Sequence, residues 1–233
     1  MSDETTLTAE STRGLVLPIF LTQTNKYLFS LLWVVIGFGL YEISNHYPIF
    51  TPQMLPMTTW DKMIPFWPHT VWVYTSEMFL FFSVYILSKD LVNANKYLYS
   101  FLALQIVSVS IFLIWPTTYP RELYPLPIDL DPWTNHIFSN LRGVDAPSNC
   151  LPSLHVSSCY LSAFVYLDEQ KKKFPFFFLW ATAIALSTLT TKQHYIVDVV
   201  AGFLIALTMY LIFHRCVKYQ NQESLSVENP STI

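Results

Sequence analysis

Apolar residues along the chain gather into six long runs, at roughly Tyr27–Ser44, Thr70–Ser88, Tyr97–Trp115, Pro152–Leu167, Phe174–Thr190 and Tyr195–His214. A helix needs about 20 mostly apolar residues to cross the hydrocarbon of a bilayer, so this pattern predicts six transmembrane helices. Polar residues interrupt it in a systematic place: Pro152-Ser153-Leu154-His155 opens the fourth run, and Lys192-Gln193-His194-Tyr195-Ile196-Val197-Asp198 opens the sixth. Imidazoles and a carboxylate are costly beside hydrocarbon, and two such clusters at helix ends predict one site at a membrane surface.

Composition points the same way. Hydrophobic residues make up 52% of the chain and charged residues 12%, the balance of a bundle in lipid rather than of a soluble domain. The opening Met1–Thr12 segment is polar, carries Asp3, Glu4 and Glu10, and lacks the basic start and cleavage site of a signal peptide, so the first helix is expected to stay in the mature protein. The expected fold is therefore all-α and polytopic: a cytoplasmic tail over 1–26, a six-helix membrane domain over 27–218 and a disordered tail over 219–233.

Orientation follows from the 13 basic residues. With the N-terminus in the cytoplasm, the inner segments hold nine of them (Arg13, Lys26, Lys89, Lys96, Lys171, Lys172, Lys173, Arg215 and Lys218) and the outer ones four (Lys62, Arg121, Arg142 and Lys192). This positive-inside bias puts both termini in the cytoplasm and both polar clusters on the periplasmic or luminal face. The two long outer loops, Asn45–His69 and Pro116–Leu151, are rich in proline and aromatics and are expected to cap the site. A net charge of −3 gives no support for nucleic-acid binding. Cys150, Cys159 and Cys216 are too scattered to define a disulfide framework, and oligomeric state is not encoded in any pattern.

The clusters carry recognisable chemistry. Pro152 suits the first turn of a helix, with Asn149 or Ser153 as its cap, and such a helix start offers backbone N–H groups to an anion; Ser153 adds a hydroxyl and His155 an imidazole. Phosphate fits that donor set. His194 and Asp198 stand four apart, so on one helix the carboxylate can fix the imidazole tautomer and raise the basicity of its other nitrogen. Lys192 adds positive charge at the same entrance. Read without each other, the first cluster is a capped helix start with a chance histidine and the second a self-satisfied His–Asp pair. Their coincidence on one face favours a joint site. A metal-dependent hydrolase using His155, His194 and Asp198 as ligands has no His-x-x-x-His support, and ionisable groups at helix ends rather than at mid-bilayer argue against a transporter.

Together these residues resemble the type 2 phosphatidic acid phosphatase superfamily, whose pattern is Lys, six residues, Arg-Pro; then Pro-Ser-Gly-His; then Ser-Arg, five residues, His, three residues, Asp. The second motif is Pro152-Ser153-Leu154-His155 here, and the third is Ser187-Thr188, five residues, His194, three residues, Asp198. Three positions depart: Thr188 replaces Arg, Ile114 replaces Lys, and Glu122 follows Arg121 in place of Pro. Arg121 is expected to keep the guanidinium of the first motif and Lys192 to replace the charge missing at Thr188. The substituted third motif resembles the branch containing inositol phosphorylceramide synthase. The resemblance implies His194 as nucleophile oriented by Asp198, His155 as proton donor, phosphate held by Arg121, Ser153 and Lys192, and neither metal nor cofactor. It implies a lipid phosphate or phospholipid substrate, and leaves hydrolysis, headgroup transfer and an inactive lipid-binding scaffold open.

Overall fold

The structure, a computed structural model, describes residues 15–144 and 148–221. The expectations for the outermost parts of both tails, including the inner position of Arg13, lie outside the described residues. Helices form in each of the six apolar runs, and two more, at Thr59–Met63 and Pro132–Val144, form within the stretches read from sequence as outer loops. In chain order they are α1 (Lys26–His46), α2 (Thr59–Met63), α3 (Val71–Thr75), α4 (Glu77–Leu87), α5 (Leu91–Ile114), α6 (Pro132–Val144), α7 (Leu154–Glu169), α8 (Phe174–Thr190) and α9 (Ile196–Leu211). A 3₁₀ turn at Pro68–Thr70 runs into α3 and α4, and a π-helical turn at Ile212–Cys216 extends α9.

Among the described residues, four stretches are long and apolar enough to cross a membrane: Lys26–His46, Pro68–Leu87, Leu91–Ile114 and Ile196–Cys216. Helices α7 and α8, at 16 and 17 residues, occupy the fourth and fifth predicted spans but are shorter. For α7 the reason is its place in the fold. It is the central helix, packed against α4, α5, α8 and α9, and its buried small residues Ser157, Ser158, Ser162 and Ala163 let those neighbours approach closely. The hydroxyls are satisfied locally or across helices: Ser162 Oγ donates to Ser158 O at 2.7 Å and meets Tyr97 Oη at 2.8 Å.

Two short parallel strand pairs mark the ends of the bundle. β1 (Val16–Ile19) pairs with β4 (Lys218–Asn221), so the two flanks of the helical region meet at one end; residues 219–221, read from sequence as tail, are part of that pair. At the other end, β2 (Gln53–Met54) pairs with β3 (Thr117–Thr118), tying together the two long loops, and Thr117 also bridges Asn149. That second end carries both polar clusters.

Candidate active site

Two helix starts build the site. Ser153 caps α7, its hydroxyl accepting from Val156 N at 3.3 Å, while its own N–H donates to Asp198 O at 3.1 Å. The first turn of α7 is thereby fastened to the first turn of α9. Gly202, one turn further along α9, permits the contact: a Cβ there would stand 2.6 Å from Ser153 O and 3.3 Å from Ser157 N. No side chain fits between these backbones without moving them.

His194 lies just before α9, with 5% of its surface exposed, and its Nδ1 faces two acceptors: Asp198 Oδ2 at 3.3 Å and Cys150 O at 3.0 Å. Neither acceptor carries a proton to give when Asp198 is ionised, so Nδ1 holds the hydrogen and Nε2 keeps its lone pair. The same Oδ2 accepts from Tyr195 N at 2.8 Å, whereas the buried Oδ1 has no hydrogen-bond partner among the described residues. His155 lies in the first turn of α7, its ring centroid 5.9 Å from that of His194. Two imidazoles at that spacing can touch one phosphoryl group from different sides.

The sequence did not single out what holds His155. Its Nε2 is 2.9 Å from Tyr74 Oη and 3.5 Å from Glu77 Oε1, with the Tyr74 ring centroid 4.8 Å away. Each histidine therefore has its own carboxylate, Asp198 for His194 and Glu77 for His155. A signal existed, because Glu77 is the sole charged residue of the Thr70–Ser88 run, and a lone acid in an apolar span marks a functional group. If Glu77 is a positioning residue, Glu77→Gln lowers kcat roughly 10- to 100-fold for poor leaving groups, with KM little changed, and matters less for a good one such as nitrophenolate. A uniform loss for all leaving groups would assign Glu77 to packing.

The cations are arranged less simply than the sequence suggested. Arg121 sits on a 3₁₀ turn (Arg121–Leu123) and is 9% exposed; Thr117, four residues earlier, is braced to the segment just before α7 through Cys150 N to Thr117 O at 3.1 Å and Leu151 N to Thr117 Oγ1 at 2.8 Å. Arg142 is its neighbour: burial, and then the charge of Arg121, lower the Arg142 guanidinium from its ordinary range. Thr188 offers no donor to a phosphate, since it is fully buried and its hydroxyl donates to Ala185 O in its own helix at 2.8 Å.

Lys192 has two duties. Gln193 N to Thr188 O (3.0 Å) and Lys192 N to Leu189 O (3.2 Å) close α8 in a Schellman turn, which puts Lys192 at φ 56°, where glycine is usual. A side chain there costs about 1–2 kcal/mol. The ammonium, 1% exposed, donates to Ile64 O at 2.6 Å and Asp61 O at 3.2 Å and lies 4.9 Å from the Tyr124 ring centroid. Two of its three protons thus hold the C-terminal end of α2. Asp61 completes the latch, accepting from Ile196 N and Thr58 N at 2.8 Å each. Burial alone would raise the Asp61 carboxyl, but these bonds and the Lys192 charge outweigh it and hold the pKa below its usual value; burial lowers that of Lys192, which Asp61 only partly offsets.

One ligand-type group is present among the described residues. Cys150 Sγ, a ring nitrogen of His194 and a carboxylate oxygen of Asp198 lie within 4.8 Å of one another. An ion bound through Nδ1 would displace the proton on which the His194–Asp198 arrangement depends, and His155 of the sequence-derived ligand set is not in the group.

No curated protein sequence matches the chain. A family model does: residues 67–212 match the PAP2 superfamily, a stretch that contains His155, His194, Asp198, Ser153, Arg121, Lys192 and also Glu77, while α1 and α2 lie before it. With the helices long and apolar enough to span a bilayer, the chain is an integral membrane protein belonging to the PAP2 superfamily, whose members are generally phosphatases.

Proposed function

We propose that the protein is a lipid phosphatase that works through a phosphohistidine, with a six-helix membrane domain and its site on the periplasmic or luminal face. The single observation that supports this most is the opposed pair of histidines, each with its own carboxylate. His194 Nε2 attacks phosphorus in line, and the bond to the lipid oxygen breaks as His155 gives that oxygen a proton. Water then attacks the phosphohistidine and loses its proton to His155, releasing inorganic phosphate and regenerating His194. Arg121, Ser153, Lys192 and the N–H groups of the first turn of α7 hold the non-bridging oxygens, while the two long loops cover the site.

Transfer of a phosphorylated headgroup to a second lipid's hydroxyl is the other reading, favoured by the loss of the arginine donor at Thr188. Purified protein incubated with a panel of lipid phosphates and phospholipids, with and without lipid alcohols, separates them. Free phosphate supports hydrolysis, a new phospholipid supports transfer, and lipid binding with neither product would leave only the scaffold. Activity that survives chelators is expected in either enzymatic case; its loss, with recovery on adding back a divalent ion, would overturn the metal-free scheme.

Lys192 gives a quantitative check. Lys192→Ala is expected to reduce turnover by about 10- to 1000-fold if one charged contact is worth ~1.5–4 kcal/mol in the transition state. Lys192→Gly relaxes the backbone yet also lacks the ammonium, so it should be the more stable variant and equally slow. Full activity in the glycine variant would reduce Lys192 to a structural latch.

Sidedness is tested by labelling. In intact cells an impermeant thiol reagent should modify a cysteine at the exposed Asp129 position but not one at the exposed Lys172 position. The opposite pattern would put the site in the cytoplasm.

A further inference from the structure

Beside His155 lies a partly open cavity of about 270 Å³, lined chiefly by α1, α4, α5 and α7 with residues of α3 and α6. Its wall is mostly apolar, with Tyr74, Glu77 and His155 at one end and Gln105 and Ser158 as further polar groups, and it runs along α1 past Tyr41, Gly37 and Trp33. A second, narrow void continues inward from the same Trp33 and Phe81 to Ser30 and Tyr97. Between the two, Phe81 and Phe101 meet edge to face with centroids 5.9 Å apart; below them Tyr85 and Tyr97 pack at 5.3 Å and close the path. Tyr41 and Ser30, eleven positions apart on α1, are separated by about 16 Å along the helix axis.

We infer that this cavity takes one alkyl chain of the lipid whose phosphate reacts at His194, and that the Phe81–Phe101 pair sets how long a chain is accepted. The inference rests on the lipid phosphatase reading above and adds where the lipid lies. Three observations carry it. The cavity is continuous with a reacting imidazole, so a chain seated in it presents its headgroup to the histidine pair. It is lined by apolar side chains along a single helix-parallel path, which suits a flexible hydrocarbon and not a sugar or nucleotide. It also holds a polar atom that awaits a partner partway along: Gln105, 7% exposed, has no hydrogen-bond partner for Oε1 among the described residues. That oxygen can accept from a hydroxyl on the stem between chain and phosphate.

Gly37 keeps the path open. A Cβ there would meet Gln105 Nε2 at 3.2 Å, the far end of a flexible side chain, so a larger residue can be accommodated by the protein while it fills the cavity. Gly37→Leu should therefore penalise long-chain alkyl phosphates over short-chain ones, by about four-fold in kcat/KM for each methylene expelled. Phe101→Ala, which joins the two voids, should shift the preference toward longer chains. A proportional change for all chain lengths in both variants would overturn the inference.

Binding is read separately from turnover. A long-chain alkyl phosphate carrying a diazirine at its chain end, photolysed with the His194→Ala protein in nanodiscs, should label α1 or α5 near Trp33 and Phe101, and Gly37→Leu should abolish that label. Labelling only of the lipid-facing surface of the helices would refute the cavity assignment even if the enzyme is active. Labelling at Trp33 and Phe101 in a protein that proves inactive on every phosphate would sustain the cavity and sink the phosphatase reading.

Discussion

His194→Ala is expected to lower phosphate release by about three to six orders of magnitude and to leave no trappable phosphoenzyme, because it removes the atom that bonds to phosphorus. His155→Ala should behave differently. With nitrophenolate as leaving group, which departs without a proton, it should still form phosphoenzyme, and the defect should reappear with alkyl phosphates. The geometry motivates this asymmetry: Nδ1 of His194 is held by Asp198 and Cys150 O, which frees Nε2 to attack, whereas His155 is bonded to a hydroxyl and a carboxylate able to return its proton. Equal trapping in the two variants would exchange or abolish the roles.

Gly202→Ala is the second large effect, and it touches no substrate. Its Cβ at 2.6 Å from Ser153 O must push the first turn of α7 away from α9, and the two histidines ride on those two elements. Misplacing reacting groups by about 1 Å can cost ~100-fold in rate, so a loss of that order is expected, with the overpacking itself costing roughly 1–3 kcal/mol of stability. Ala206, one turn away on α9 and also buried, provides the control. Ala206→Ser should leave the α7–α9 fastening intact and the rate near that of the parent. Normal turnover in Gly202→Ala would mean that the site does not depend on this helix contact.

The sequence was most legible where one local rule acted. Apolar runs located the long helices, and the His194 to Asp198 spacing foretold a contact made within a single turn. Of the two caps the sequence offered for the fourth helix, Asn149 and Ser153, α7 uses Ser153, and Pro152 stands before the helix rather than in its first turn. Residues that act through tertiary contact were missed: Glu77 and Tyr74 reach His155 from a helix about 80 positions earlier, and the only clue was an acid in an apolar run. Lys192 was found by its charge, but its ties to Asp61 and Ile64 depend on α2 and its C-cap about 130 positions earlier, and its left-handed backbone belongs to the turn that closes α8. The central, buried place of α7 was also hidden, because hydropathy cannot tell a helix buried among helices from one facing lipid. Its serines were the sign of the former.

The central claim is a phosphoryl group carried on His194. Purified protein in nanodiscs should be mixed with a lipid phosphate, quenched within a turnover under conditions that preserve phosphoramidates, digested, and the modified residue located by peptide mass spectrometry. The account predicts phosphate on His194, accumulating further when His155→Ala slows its hydrolysis. Phosphate on another residue, or turnover with no phosphopeptide in either protein, would contradict it.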